Sequence, residues 1–430
     1  MSASQTNEQA LLALETMKLA TEKSKAGSAR PPQTAPGIRR TAMILLGFSL
    51  MLIAFNLRPV FSSLSVLLPE IIRQTGLSSA NAGYLTTLPV LCLGLFAPLA
   101  PKLAQRFGVE RTLLGMLVLL ALGTALRGHG GIFALFIGSA LAGASIAVGN
   151  VLLPSLVKRD FAHHAATMTG LYTMALCGGA AAAAAFTVPI ARELGGSWAL
   201  ALAVWAVPAA IVALIWAPHS LKQGKLARQS TRTVTGLWRD RLAWQVTFFM
   251  GLQSALAYCV MGWLAPILRE RGLDGVTAGL VVSVSIMVQV VTSLVVPPLA
   301  VRCKNQQLFN AVLAIIAGAA LLGLLFAPTS TVWVWAVLQG VGQGGLFAIA
   351  LTVIVLRSPD SHVAAHLSGM AQGIGYVLAA IGPLLVGLLH GWTGSYAATS
   401  WLFIALTAGA AINGWGAGRA MHVRVTTDKL

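Results

Sequence analysis

Charged residues are scarce in this chain. Asp, Glu, Lys and Arg make up 10% of its 430 residues, against about 25% in ordinary soluble domains. So few charges cannot cover a water-facing surface, which excludes a soluble globular fold. Acidic residues are the rarest, with twelve Asp and Glu against 29 Lys and Arg. Cysteine is nearly absent: Cys92, Cys177 and Cys259 lie in apolar runs and Cys303 in a short polar break, with no CxxC or Cys/His spacing for a metal. They read as small apolar side chains. No Ser/His/Asp arrangement, P-loop or HExxH motif is present, and the polar segments are too short for an ATPase domain. The chain is therefore not read as an enzyme, and neither metal nor cofactor is expected. A cleavable signal peptide is also missing: the first 40 residues are polar, with scattered Lys and Arg.

Apolar length is what the chain has in abundance. It is 57% hydrophobic with a mean hydropathy of +0.79. A helix needs about 20 apolar residues to cross a bilayer. Runs of that kind fall at 41–69, 81–103, 111–126, 132–157, 165–191, 197–217, 242–268, 276–301, 307–327, 331–356, 364–389 and 396–418. They do not alternate polar with apolar, so a membrane β-barrel is excluded. The expectation is an all-α integral membrane protein with twelve transmembrane helices.

The basic balance, +17 net, is spread between the apolar runs. That pattern fits the positive-inside rule rather than nucleic-acid binding. With the N-terminus inside, the cytoplasmic side carries 23 Lys and Arg and the other side five. Both termini are expected in the cytoplasm, with the protein multi-pass in a bacterial inner membrane. The expected organisation is a disordered cytoplasmic tail (1–40), a six-helix bundle (41–217), a cytoplasmic linker (218–241), a second six-helix bundle (242–418) and a cytoplasmic tail (419–430).

The two halves resemble each other. Pro101-Lys-Leu-Ala-Gln-Arg106 ends span 2, and Pro297-Pro-Leu-Ala-Val-Arg302 ends span 8, an offset of 196. Ala82-Gly83 and Ala278-Gly279 share that offset, and Ala166-Thr-Met-Thr-Gly170 parallels Ala365-His-Leu-Ser-Gly369 at 199. A duplicated six-helix unit with both termini on one side makes two pseudo-symmetric bundles, with a substrate site at their interface near the midplane.

Arg58 stands out because it lies near the middle of the first run. An Arg there costs about 2.5–3.5 kcal/mol on insertion scales. The nearest acid in the same helix, Glu70, is about 18 Å away along the axis, and no Asp or Glu lies mid-span. Backbone carbonyls, amides, water, an aromatic face or a substrate must satisfy the guanidinium. Its paired donors suit a planar anion or a nitro group; a purely structural lock between helices is the alternative. Phe55, Arg58, Ser62 and Ser65 are spaced as one helical stripe. Pro59 frees the carbonyl of Phe55 and bends the helix there.

Six helices, a basic break and six more resemble the major facilitator superfamily. Between spans 2 and 3 that family carries a loop motif, roughly G-x-x-x-D-R-x-G-R-R. Here Arg106, Gly108 and Arg111 fit it, while Gln105 stands where the family has Asp and Pro101 where it has Gly. The carboxylate that a gating ion pair of that motif would use is therefore absent at position 105. Asn56-Leu-Arg58-Pro59, Gly149-Asn-Val-Leu-Leu-Pro154, Leu242-Ala-Trp-Gln-Val246 and Ser368-Gly-Met-Ala-Gln372 resemble the cyanate and 2-nitroimidazole transporters of that superfamily.

The resemblance implies that spans 1, 4, 7 and 10 line a cavity, flanked by 2, 5, 8 and 11. The candidate substrate residues are then Phe55, Asn56, Arg58, Ser62, Asn150, Tyr172, Gln253, Tyr258, Gln339, Gln343, Gln372 and Tyr376. For any one of the amides and tyrosines, an interhelical hydrogen bond competes with substrate contact. Together they describe a neutral, aromatic cavity with one positive charge. A small anionic or polar planar solute, cyanate- or 2-nitroimidazole-like, suits it, carried by alternating access. A broader drug or metabolite exporter and a membrane sensor are the competing readings. A coupled proton is a candidate partner, although no acid lies mid-span; His129, His163, His164, His362, His366 and His390 fall at span ends as interfacial side chains. The lipid bilayer and a small-molecule substrate are the expected partners of a monomer.

Overall fold

In a computed structural model of the chain, residues 36–161, 165–221 and 234–427 are described. Residues 1–35 of the expected tail, 222–233 of the expected linker, and 162–164 with His163 and His164 lie outside the described residues. Contacts divide the described residues into two compact units, one ending at Phe48 and the other beginning at Ser49.

Among the described residues, twelve helical segments are long and apolar enough to cross a membrane. In chain order they are span 1 (Met43–Thr75), span 2 (Ser79–Phe96), span 3 (Val109–His129), span 4 (Ile132–Val157), span 5 (Thr167–Glu193) and span 6 (Trp198–Ser220). Span 7 (Arg241–Glu270), span 8 (Gly275–Val301), span 9 (Gln307–Phe326), span 10 (Thr329–Leu356), span 11 (Val363–Thr393) and span 12 (Tyr396–Ala417) complete the set. Extended structure among the described residues is confined to one antiparallel two-residue pair, with Val234 opposite Thr427 and Thr235 opposite Thr426.

Three boundaries depart from the hydropathy reading. Span 1 does not stop at Pro69; it runs to Thr75, and Gly76 ends it in the left-handed region at φ 68°. Pro69 removes a single backbone donor, and the packed turn beyond it, with Ile71 fully buried, keeps the helix going. The second run is not one helix. It breaks at Ala97-Pro98, and a short helix, Leu99–Phe107, follows. The sixth run breaks at Trp205, between Trp198–Val204 and Ala206–Leu221. Pro208 has no N–H for the Val204 carbonyl, and the Trp205 indole donates instead to the Thr187 hydroxyl at 2.9 Å.

The scarce acids are used at helix starts. Asp240, Asp274 and Asp360 each accept backbone N–H bonds as N-caps of spans 7, 8 and 11. A carboxylate there answers donors that the helix itself leaves unpaired.

The internal repeat appears in the packing. Gly83 of span 2 lies against the Leu384 carbonyl and Gly387 of span 11, and Gly279 of span 8 lies against the Ala184 carbonyl of span 5. The repeated Ala-Gly dipeptides therefore mark two crossings between the first six helices and the last six. A side chain at either crossing would strike backbone, so small residues permit the approach.

A second pair of equivalents closes the ends of spans 4 and 10. Arg159 donates to Glu110 at 2.7 Å and to Asp160 at 2.7 Å. At offsets of 198 and 196, Arg357 and Gln306 occupy the corresponding places. Arg357 donates to the Gln306 side-chain oxygen and, at 2.9 Å, to the Ala417 carbonyl. Its own carbonyl accepts the Val423 N–H at 2.9 Å. The environments differ in charge. Bonds to the Asp160 and Glu110 carboxylates hold the Arg159 guanidinium above its ordinary value, against the effect of burial. Burial beside a neutral amide pushes Arg357 down.

Replacing Arg357 with Met leaves the Gln306 oxygen and the Ala417 carbonyl without their donor. Hydrogen bonds to a charged group contribute about 1.5–3 kcal/mol. Arg357→Met is expected to lower the thermal midpoint in detergent accordingly, while Arg302→Met, at an exposed position, leaves it unchanged.

Candidate substrate site

The site forms around a stop in the first span. One helix, Pro36–Asn56, ends there, and the next, Pro59–Thr75, begins at Pro59. Leu57 and Arg58 between them are not helical. Arg58 takes the N-cap position at φ −115° and ψ −22°, and Pro59 fills the first helical position, where its fixed φ fits and its missing N–H costs nothing. The sequence implied a bend; the structure has a break two residues long. The stripe expected from Phe55 to Ser65 is interrupted accordingly.

A break in mid-span frees backbone groups. The Phe55 carbonyl cannot receive a bond from Pro59, and Gly179 of span 5 lies directly against it, so that a Cβ at 179 would overlap the oxygen. Gly149 of span 4 packs on the Leu57 side chain. Leu57 itself donates to the Ala54 carbonyl at 3.1 Å, and Phe61 donates to the Arg58 carbonyl at 3.1 Å. The interruption is held by close packing from spans 4 and 5 and by short local bonds.

Arg58 extends toward span 7. Its Nη1 donates to the Met261 thioether at 3.5 Å, and its guanidinium carbon lies 5.8 Å from the centre of the Tyr258 ring. Tyr258 packs edge-on against Tyr376 of span 11 at 6.2 Å and tilted against Phe61 at 5.6 Å. Tyr172 and Cys177 of span 5 are within electrostatic reach of the guanidinium. Among the described residues no ion pair includes Arg58, and its buried Nε has no hydrogen-bond partner. A thioether is a weak acceptor, and a cation over an aromatic face gains about 0.5–2 kcal/mol. Those contacts orient the guanidinium without using up its donors.

The expected polar residues separate into groups. Spans 1, 5, 7 and 11 bring together Arg58, Tyr172, Tyr258 and Tyr376. Gln253 and Gln343 join spans 7 and 10: the Gln343 amide donates to the Gln253 carbonyl at 3.1 Å and to its side-chain oxygen at 3.2 Å. Gln339 is fully buried, and both its amide atoms lack a partner. Ser62 is equally buried with an unpartnered hydroxyl. Asn56 and Gln372 turn to their own helices, Asn56 donating to the Leu52 carbonyl at 2.8 Å and Gln372 to the Ser368 hydroxyl at 2.7 Å. Phe55 and Asn150 are half-buried.

The loop residues lie apart from this cluster. Gln105 and Arg106 are exposed, and the Arg106 guanidinium sits 5.3 Å from the Phe107 ring. Gly108, at φ 89°, turns the chain between two helices, and Arg111 donates to the Ser220 carbonyl at 3.4 Å.

Sequence reasoning missed four features. Met261 is one helical turn beyond Tyr258, and that spacing would have pointed to it. Arg127, counted with the cations of the less basic face, is fully buried and donates to the Val60 carbonyl at 3.2 Å, just beyond the break. The carbonyl-locking role considered for Arg58 thus falls to Arg127. On the same face Arg269 binds both oxygens of Glu70 at 2.5 Å, joining span 7 to span 1. His390, expected as an interfacial side chain, also bridges Glu270 at 2.9 Å and Ser79 at 3.0 Å.

The model of the Major Facilitator Superfamily matches residues 44–338 and 246–426. The chain belongs to the Major Facilitator Superfamily. An uncharacterized transporter, YycB, of Bacillus subtilis (strain 168) is 41% identical over 87% of the chain and 93% of its own length. A 2-nitroimidazole transporter of Escherichia coli (strain K12) is 37% identical over 89% of the chain and 97% of its own. The cyanate transport protein CynX of the same strain is 29% identical over 83% and 92%. These relatives put the chain in the cyanate and 2-nitroimidazole branch of the superfamily. Among solved structures, a single-site mutant of the nucleoside transporter NupG superposes with a TM-score of 0.69 at 15% identity, over 86% of this chain and 99% of that one. The shared fold is two pseudo-symmetric six-helix bundles.

Gly178 and Gly179 make a paired test of the break. A methyl at 178 meets nothing within 4 Å, whereas one at 179 overlaps the Phe55 carbonyl. Gly179→Ala is expected to destabilise the folded protein by about 1–3 kcal/mol, as overpacking does. Gly178→Ala leaves the midpoint in place. Equal midpoints for the two variants in a detergent melt disprove the contact.

Proposed function

We propose that the protein is a secondary transporter of a small anionic or polar planar solute, cyanate- or 2-nitroimidazole-like, and that Arg58 recognises it. The observation that carries the reading is a mid-span guanidinium with no carboxylate partner among the described residues, set on a tyrosine face and left with an unused Nε donor. A cation in that place meets repulsion and no counter-ion. A carboxylate, cyanate or nitro group meets a planar pair of donors. The tyrosines from spans 7 and 11 supply an aromatic wall against which a flat solute stacks. The 2-nitroimidazole and cyanate relatives support the same solute class.

Movement follows from alternating access between the bundle of residues 41–217 and the bundle of 242–418, with Asn150, Gln253, Gln339 and Gln343 lining the path between them. The Glu70–Arg269 pair and the Ser79–His390–Glu270 bridge join the bundles at the face with fewer cations, so this conformation is latched on that side. The loop from Gln105 to Arg111 belongs to the basic face and gates the other side. The basic face lies in the cytoplasm, with both termini, and the membrane is the bacterial inner membrane.

A thermal-shift panel on the detergent-purified protein tests the substrate assignment, with cyanate, nitrate, nitrite, 2-nitroimidazole and uncharged imidazoles as ligands. A ligand at 100 times its Kd stabilises the folded state by about 2.7 kcal/mol. One solute is expected to raise the midpoint of the wild type and not of Arg58→Ala, and Arg58→Lys is expected to respond weakly because Lys lacks the planar fork. Flux of that solute into proteoliposomes should disappear with Arg58→Ala. An Arg58→Ala protein that binds and carries the solute as well as wild type refutes the role of Arg58.

A further inference from the structure

A cavity of about 490 Å³ lies at the basic face, away from the substrate cluster. The approach to span 7 forms one wall through Arg239, Asp240 and Arg241; the chain leaving span 12 forms the other through Arg419, His422 and Arg424. The two walls are held together by backbone. The short antiparallel pair joins Val234–Thr235 to Thr426–Thr427, the Arg424 N–H donates to Asp240 at 3.1 Å, and the Val423 N–H donates to the Arg357 carbonyl at 2.9 Å.

The charges in this cavity are unbalanced. Four arginines and a single acid, Asp240, are among the lining residues, and both carboxylate oxygens are engaged by backbone N–H groups, from Ala243 and from Arg424. Arg419 is tied to the Gln245 side chain at 2.7 Å and to the Gly416 carbonyl at 2.9 Å. Arg239, Arg241 and Arg424 are exposed and take part in no ion pair among the described residues. Three exposed arginines lining one cavity suit a phosphate-type anion.

An aromatic run leads away from the rim. Trp238 is 64% exposed. Its ring meets Trp244 edge-on at 6.1 Å, and Trp244 meets Phe248 of span 7 at 5.5 Å. Phe248 is also exposed. Trp at the end of a span marks the headgroup level of a bilayer, and an exposed Phe one turn further in suits an acyl chain. Basic pockets at the ends of membrane helices bind anionic headgroups by the same physics.

We infer that this cavity binds the phosphodiester headgroup of an anionic membrane lipid, with the guanidinium groups of Arg239, Arg241 and Arg424 on the phosphate and the lipid tail along Trp238 and Phe248. The lipid ties the linker and the C-terminal segment to one another at the membrane surface. The inference is independent of the solute carried.

Detergent-purified full-length protein is melted with short-chain phosphatidylglycerol, with short-chain phosphatidylcholine, and with inorganic phosphate. Phosphatidylglycerol is expected to raise the midpoint more than phosphatidylcholine. The triple variant Arg239→Gln, Arg241→Gln, Arg424→Gln should need at least tenfold more phosphatidylglycerol for the same rise. Arg424→Gln alone should need severalfold more, which keeps the test decisive if the triple variant does not fold. Arg302→Gln with Lys304→Gln, cations of the same face outside the cavity, should behave as wild type. Equal responses to the two lipids, or a phosphatidylglycerol response that the cavity variants leave intact, overturn the site. A response to inorganic phosphate equal to that of phosphatidylglycerol, and unchanged by Trp238→Ala, overturns the lipid as its ligand.

Discussion

A helix that stops inside a bilayer leaves backbone groups that water cannot reach, and neighbouring protein must answer them. In this protein the stop falls at Leu57 and Arg58, and the surrounding helices are arranged to tolerate it. Gly179 has no side chain because the Phe55 carbonyl occupies the space one would need. Gly149 lies on Leu57 for a related reason. Arg127, buried without a carboxylate, is aimed at the Val60 carbonyl in the first turn after the break. Proline, glycine and arginine here serve one constraint, and its product is a non-helical Arg58 whose side chain spans 5, 7 and 11 surround.

The internal repeat frames this asymmetry. Its equivalents do the same mechanical work in both halves, as at the Gly83 and Gly279 crossings and at the Arg159 and Arg357 closures. The break does not repeat. At the offset of 196 that relates Gly83 to Gly279, Arg58 corresponds to Ser254, a residue within the unbroken helix Arg241–Glu270 whose hydroxyl accepts the Gln253 amide at 2.9 Å. One half thus presents a cation on a broken helix, and the other presents neutral amides and aromatic faces on a continuous one.

Much of this was legible in the sequence because bilayers read composition directly. Apolar length gave the twelve spans, and the isolation of Arg58 from every acid marked it without coordinates. The errors at Pro69, Pro98 and Pro208 share a cause. A proline removes one donor in each case, and whether the helix continues, bends or stops depends on what packs around the freed carbonyl. The burial of Arg127 was missed for a related reason. It sits at the end of an apolar run, where exposure and burial produce the same hydropathy.

The sequence by itself determined that the chain lives in a membrane, how many times it crosses, that it is built from a repeated six-helix unit, and that its middle holds one strongly placed positive charge. Each of these rests on local composition or on spacing along one helix, quantities that a linear sequence carries in full. Only the tertiary structure decided that the first span is broken, that Met261 and Tyr258 receive Arg58, that Arg127 rather than Arg58 locks a carbonyl, and that Glu70 pairs with Arg269 and His390 with Glu270 and Ser79 on one face. Those outcomes depend on contacts between residues as much as about two hundred positions apart, such as Arg58 with Met261 and Glu70 with Arg269. No periodicity within a helix specifies its neighbour on another, and packing alone selects the partner.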